Sequence, residues 1–232
     1  MAGQLDEALA LTAEQIQLRD HMADKLPEDM DFRYQRSLSR ALRARVLAAL
    51  GQHAPAAELL DVAISLGQQA VAADAGNVAG AQRVLAMQAL RLELRVSAAQ
   101  WAAAQAAAEE VLPQLKASAD QPYAAKRARA DALVWAARAW NPTDPARALA
   151  LAQGAVQLAL PVRPDDDNVA RRWLQAQAVG EVALAQQRMG EVAAAKASAL
   201  EAVALWAARP PADGPAPVLS RWMTPVTALA VP

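Results

Sequence analysis

Stretches rich in alanine and leucine alternate with short polar or proline-containing breaks over the first 209 residues of the chain. Proline, glycine or asparagine stands at most of these breaks, and such residues begin or end helices. Runs of Val, Ile, Thr and aromatic residues, which are typical of strands, are absent. The pattern therefore predicts an all-α fold of about nine helices, over 3–26, 29–50, 54–74, 77–98, 99–117, 122–140, 144–160, 165–189 and 191–209.

Five short segments share one signature: a small or polar residue, a larger side chain or proline two positions on, and alanine five positions on. The aligned alanines are Ala8, Ala56, Ala104, Ala148 and Ala195, spaced 48, 48, 44 and 47 residues apart. Each segment is typical of a tight turn followed by the first turn of a helix, where a small residue lets two helices lie close together. Regular recurrence at this distance predicts a solenoid of antiparallel helix pairs.

We call the helix before each signature segment an A helix and the helix after it a B helix. The chain then opens on a B helix, 3–26, which predicts that it is the C-terminal part of a longer array; the alternative is an unusual single-helix cap. Six prolines in residues 210–232 predict an extended tail. We expect this tail to pack on the last repeats through Trp222. The expected domains are a repeat domain over 1–209 and the tail over 210–232.

The signature segments resemble tetratricopeptide repeats. Residues 3–9, Gly-Gln-Leu-Asp-Glu-Ala-Leu, are similar to the opening of the second helix in that family, and Gly190, Val192 and Ala195 fill its small and apolar positions later. The resemblance implies a right-handed α-solenoid of antiparallel helix pairs, in which the A helices line a concave face. The period is longer than the family's 34 residues. Such long, alanine-rich arrays also resemble those appended to bacterial signalling proteins, including serine/threonine kinases.

Composition narrows the classes of function. With 63 alanines in 232 residues, the chain favours helices that approach each other closely. A net charge of −1 gives no general attraction to nucleic acid or to an anionic membrane. The absence of cysteine excludes disulfides, thiol catalysis and cysteine-ligated metals. No signal peptide or membrane-spanning segment is visible. We therefore slightly favour a cytoplasmic location, or a periplasmic one if a membrane-spanning segment precedes this sequence in its parent protein.

The residues offer no constellation for catalysis or metal binding. The two histidines, His21 and His53, lie far apart in sequence and lack a cluster of further ligands. The acidic run 165–168 is better explained as the cap of the helix that follows it than as a calcium loop. Phosphate-binding loops and nucleophile motifs are absent. We therefore expect a protein that is not an enzyme and has no cofactor.

Basic residues concentrate on the predicted A helices, which carry fifteen of the 23 lysines and arginines. If those helices line a concave face, that face is basic, and arginine is suited to binding carboxylates or phosphates. The groove candidates are Arg36, Arg40, Arg43, Arg45, Arg91, Arg95, Arg138, Trp140 and Arg188. The alternative is that these arginines bond to neighbouring repeats.

The sequence thus predicts a protein-interaction module of a larger bacterial signalling or regulatory protein, with an acidic peptide or protein segment in its basic groove. The partner could also be an upstream domain of the same polypeptide. The alternative is a sensing domain that binds a small anionic molecule. Nucleic-acid binding is disfavoured by the near-neutral charge and the few aromatic residues.

Overall fold

A computed structural model describes residues 2–74, 76–115, 123–159, 168–207 and 217–231. Over these residues the chain is 88% helical, with ten α-helices and no strand, so the all-α prediction is confirmed. A short 3₁₀ segment, Leu112–Leu115, extends the fifth helix. The helices are α1 Ala2–Lys25, α2 Met30–Ala49, α3 His53–Ala73, α4 Val78–Ser97, α5 Trp101–Val111, α6 Tyr123–Trp140, α7 Pro145–Leu158, α8 Val169–Arg188, α9 Val192–Ala207 and α10 Pro217–Ala230.

Side-chain caps fix the beginnings of several helices. The carboxylate of Asp29 accepts a hydrogen bond from the backbone N–H of Asp31, and the amide oxygen of Asn77 accepts one from Gly80. Asp144 and Asn168 cap α7 and α8 in the same way. The first N–H groups of a helix have no partner within it, so these oxygens stabilise the helix where it begins.

Three of the turns between helices share one geometry. Gly51, Ala99 and Gly190 all have positive φ, at 77°, 55° and 82°. In each turn the residue after this position donates its N–H to the carbonyl five residues back, as Gln52 does to Leu47. This pattern ends the preceding helix and reverses the chain. Two of the three positions are glycine, which adopts positive φ without steric cost, whereas Ala99 adopts it with a Cβ in place.

The chain divides into two compact units, Met1–Gln114 and Leu115–Pro232. The boundary between the units falls inside the range 1–209 of the predicted repeat domain. Helices α1 to α5 build the first unit, and α6 to α10 build the second. Within each unit, every helix packs against the next one along the chain.

Alanine makes up most of the buried apolar residues. Four of the five aligned alanines, Ala56, Ala104, Ala148 and Ala195, are buried at the starts of B helices, whereas Ala8 is partly exposed. In the first unit the core gathers around α3, with Leu60 fully buried. A Cβ at Gly67 would lie 2.9 Å from Cγ2 of Val84, so this glycine permits α3 to approach α4 closely.

The first helix is less buried than its successors. Among its described side chains only Thr12 and Ala23 are buried, and Leu11 and Leu18 are more than half exposed. No A helix precedes this first B helix in the sequence, so Leu9 would be expected to lie uncovered. It is instead partly buried against the core of the first unit.

The C-terminal segment is helical over Pro217–Ala230, so the prediction of an extended tail is wrong there. Pro217 is the first residue of the helix. A backbone N–H at that position would have no partner within the helix, so the lack of one in proline costs nothing. Pro225 lies inside it on an exposed position. Met223 and Val226 are buried in a cluster with residues of α8 and α9, so α10 covers the flank of α9. The side chain of Trp222, the predicted anchor, is not among those that the structure describes. Residues 210–216 also lie outside the described residues.

Candidate functional site

The arginines predicted for the basic groove lie mostly in ion pairs within the protein. On α2, the guanidinium of Arg40 contacts both carboxylate oxygens of Asp20 on α1, at 2.9 and 2.8 Å. Arg36 Nε lies 3.0 Å from the same carboxylate. The hydrogen bond from Arg40 chiefly lowers the pKa of Asp20 below its ordinary value. One aspartate on a B helix therefore holds two arginines of the following A helix.

Arg91 and Arg95 on α4 repeat this arrangement. Asp61 on α3 accepts hydrogen bonds from both guanidinium groups, at 3.1 Å from Arg91. Arg91 also donates to Glu110 on α5, at 2.7 Å, and the fully buried Gln88 donates to the same carboxylate. These side chains join α3, α4 and α5 into one network.

In the second unit, Arg138 on α6 pairs with Glu181 on α8. Arg138 Nε donates to Glu181 Oε1 at 2.7 Å, and its guanidinium also lies 4.6 Å from the ring centroid of Trp135. The side chain of Glu181 is only 1% exposed. Burial raises the pKa of Glu181, and the nearby charge of Arg138 opposes this rise.

The remaining predicted residues do not converge with these. Arg43 donates to the carbonyl of Leu9 at 2.6 Å, and Trp140 is partly buried with the guanidinium of Arg147 4.0 Å from its ring centroid. Arg188 is exposed near the end of α8, and Arg45 is exposed on α2. The structure therefore places one predicted residue, Arg45, on the groove described next and does not bring the full set together.

A groove lies between α2 and α4 in the first unit, with a cavity of about 180 Å³. Most of its lining residues are apolar. The charged ones are the exposed arginines Arg45 and Arg83. None of the described residues that line it carries a carboxylate. We call it the α2–α4 groove, and its principal residues are Leu38, Leu42, Arg45, Arg83, Met87 and Leu90.

Sequence reasoning missed all of these residues except Arg45. The signal was present, because Leu38, Leu42 and Arg45 are spaced four and three residues apart, as are Arg83, Met87 and Leu90. Such spacing places side chains on one face of a helix. Leu42 is 46% exposed, which is unusual for a leucine whose spacing from its apolar neighbours is typical of the buried face of a helix.

A second cavity, of about 260 Å³, lies where α2 and α4 begin and α3 ends. We call it the helix-end pocket. Unlike the groove, it is lined by carboxylates as well as by a guanidinium. Its residues are Met30, Asp31, Tyr34, Ala70, Asp74, Asn77 and Arg83. The hydroxyl of Tyr34 donates to the carbonyl of Gly80, and burial chiefly raises the pKa of this tyrosine.

The second unit has a larger cavity, of about 490 Å³, between α7, α8 and α9. Valine and glutamine side chains form much of its wall, and Glu201 is the single charged residue among the described ones that line it. It therefore shows none of the positive charge found in the α2–α4 groove.

In the part of the chain that the structure describes, no three histidine, cysteine or acidic residues cluster as metal ligands. None of the described helices combines the length and apolar character needed to cross a bilayer. No protein-family model, curated protein or solved structure matched the chain. The geometry above is therefore the basis for any assignment of function.

Proposed function

We propose that this chain is a tetratricopeptide-like repeat protein, a right-handed solenoid of antiparallel helix pairs, that binds a segment of another protein. Two features support repeats of one structural unit. Three turns share the same backbone geometry and hydrogen bonds, at Gly51, Ala99 and Gly190. Four of the five alanines aligned in sequence, Ala56, Ala104, Ala148 and Ala195, are also buried near the start of a helix.

The partner segment is acidic and amphipathic, and it occupies the α2–α4 groove. The observation that carries this proposal is the combination of an apolar floor, two exposed arginines and no lining carboxylate. Exposed arginines beside an apolar groove favour a segment that presents carboxylates next to apolar side chains. Five of the other predicted arginines contribute less, because they already pair with Asp20, Asp61 or Glu181: Arg36, Arg40, Arg91, Arg95 and Arg138.

The spacing of the two arginines limits the shape of the occupant. Arg83 contacts Tyr34, which precedes Arg45 by eleven residues on α2. At 1.5 Å per residue, that distance along the helix is about 16 Å. A helical occupant would therefore place its carboxylates about three turns apart, with apolar residues between them for Leu42 and Met87.

A random peptide library displayed on phage tests this proposal. Selection against the protein should enrich sequences with aspartate or glutamate on either side of apolar residues. Replacement Arg45→Glu should weaken the selected peptides by about tenfold or more, because it places a like charge against them. Arg188→Glu is the matched control, since Arg188 is also an exposed arginine near the end of an A helix but lies outside the groove.

Binding should also weaken as salt concentration rises, since exposed charges are screened. Enrichment of basic or neutral peptides would overturn the proposal. So would equal affinities of the two arginine variants for an acidic peptide. Circular dichroism of both variants should show unchanged helix content, because both positions are exposed.

The alternative from sequence, a sensor of a small anionic molecule, has less support. The described cavity with the most polar residues is the helix-end pocket, and its carboxylates Asp31 and Asp74 would repel a purely anionic ligand.

A further inference from the structure

The helix-end pocket brings both signs of charge to one cavity. Asp31, Asp74 and Arg83 all line it, and all three are exposed. Among the described residues, no ion pair joins any of these three side chains to another. This differs from the arginines that pair with Asp20 and Asp61, which are Arg36, Arg40, Arg91 and Arg95. Charges of both signs that surround a cavity without neutralising one another favour a ligand that carries both signs.

The position of Asp74 strengthens this argument. Asp31 lies in the first turn of α2, where a carboxylate stabilises the positive end of the helix dipole. Asp74 is the C-cap of α3, where the dipole is negative and the last carbonyl groups lack helical partners. A carboxylate is unfavourable at this end of α3, although it also lies close to the beginnings of α2 and α4, whose dipoles favour it. An ammonium group in the pocket would relieve the repulsion between Asp74 and the end of α3.

Neighbouring side chains hold the opposite wall in place. The guanidinium of Arg83 lies 5.7 Å from the ring centroid of Tyr34, and the hydroxyl of Tyr34 is fixed by its bond to Gly80. A Cβ at Gly80 would lie 2.9 Å from that ring, so glycine permits this contact. Asn77 is engaged in capping α4, at 2.8 Å from Gly80 N. The groups left to recognise a ligand are therefore Asp31, Asp74 and Arg83.

We infer that the helix-end pocket binds a free basic amino acid, with its carboxylate on Arg83 and its two cationic groups on Asp31 and Asp74. The charges correspond one to one. The cavity of about 260 Å³ lies below the roughly 300 Å³ at which sites for drug-sized ligands begin, so it suits a small metabolite. This inference does not require a peptide in the α2–α4 groove, although Arg83 lines both cavities.

Isothermal titration calorimetry with four probes tests it on the full chain. L-lysine should bind with a Kd of about 1 mM or tighter. Lysinamide lacks the carboxylate and 6-aminohexanoate lacks the α-ammonium, so each should bind about tenfold more weakly, since each loses one charged hydrogen bond. N-acetyl-lysinamide presents only the side chain of lysine, as a protein would, and should bind weakest of all.

Two variants and a control locate the site. Asp74→Asn and Arg83→Gln should each weaken lysine binding by about tenfold, whereas Glu58→Gln, an exposed carboxylate near the start of the same α3 helix, should leave it unchanged. Because Asp74 does not line the α2–α4 groove, its variant should retain any acidic peptide. Failure of the peptide experiment therefore leaves this one intact.

Several results would overturn the inference. They are the absence of lysine binding to the unmodified protein, equal binding by Asp74→Asn and Glu58→Gln, and lysinamide binding as tight as that of lysine. Tight binding of N-acetyl-lysinamide would also overturn it and would assign the pocket to lysine side chains of a protein partner. Helix content measured by circular dichroism ensures that each variant is folded.

Discussion

Both units pack consecutive helices against each other, but they differ in how alternate helices meet. In the first unit, the hydroxyl of Tyr34 on α2 donates to the carbonyl of Gly80 on α4. Farther along the same two helices, an apolar groove lies between them. In the second unit, α6 and α8 are joined by Arg138 and the buried Glu181. The comparison teaches that an alanine-rich helix pair does not by itself decide whether a groove forms. A few large or charged side chains decide it.

The largest expected effect comes from breaking the buried pair in the second unit. Arg138→Met leaves the Glu181 carboxylate buried without its guanidinium, which should lower the free energy of unfolding by about 3–5 kcal/mol. Urea unfolding followed by circular dichroism measures this loss. The double variant Arg138→Met with Glu181→Met is the control, since an apolar pair of similar volume should restore most of the stability.

The loss should also depend on pH. Burial raises the folded-state pKa of Glu181 above its unfolded value, so the folded protein binds the proton more tightly. Stability from this group is therefore present at low pH and falls as pH rises through the interval between the two pKa values. Removal of Arg138 takes away the opposing charge, so the loss in Arg138→Met should be larger at pH 8 than at pH 5. A loss that is the same at both values would mean that the carboxylate is not the cause.

A glycine in a B helix of each unit sharpens the comparison further. A Cβ at Gly67 in α3 would meet Val84 at 2.9 Å and Ser37 Oγ at 3.0 Å, so Gly67→Ala should cost about 1–3 kcal/mol. A Cβ at Gly154 in α7 would meet only Leu133, at an ordinary 3.7 Å. Gly154→Ala should therefore stabilise by up to about 1 kcal/mol through helix propensity. Equal effects in thermal unfolding would contradict the closer packing of α3.

The smallest expected effect concerns the shared turns. Ala99 has φ of 55°, where Gly51 and Gly190 have the residue suited to that conformation. Ala99→Gly should therefore raise the free energy of unfolding by about 0.5–1 kcal/mol. The reverse change, Gly51→Ala, should lower it by a similar amount, since no neighbouring atom lies within 4 Å to add a clash. Chemical denaturation of both variants gives the comparison.

The helices of both units were predictable from sequence, because caps and breaks such as Asp29, Gly51 and Asn77 act locally. The last helix was not, since the number of prolines concealed the helical spacing of Met223, Val226 and Leu229. Pro217 is tolerated because it stands at the first position of the helix. Pro225 lies inside the helix and lacks an N–H group, a cost that the burial of Met223 and Val226 offsets.

The site was less predictable than the fold. Arginine content alone cannot show which guanidinium groups are neutralised, because Asp20 and Asp61 reach them from other helices. The helix-end pocket depends on three separate helix ends that meet in space, and no spacing within one helix encodes that meeting.

The alanine core has a consequence for how the protein responds to temperature. A buried methyl group removes less apolar surface from water than a leucine or phenylalanine does, and the heat capacity of unfolding follows the apolar surface exposed. Most buried apolar residues here are alanine. The heat capacity change per residue should therefore fall below the ordinary value of about 12–15 cal/mol/K. The curve of stability against temperature should be correspondingly flat, so we expect cooling to weaken this protein less than it weakens one with a core of large side chains.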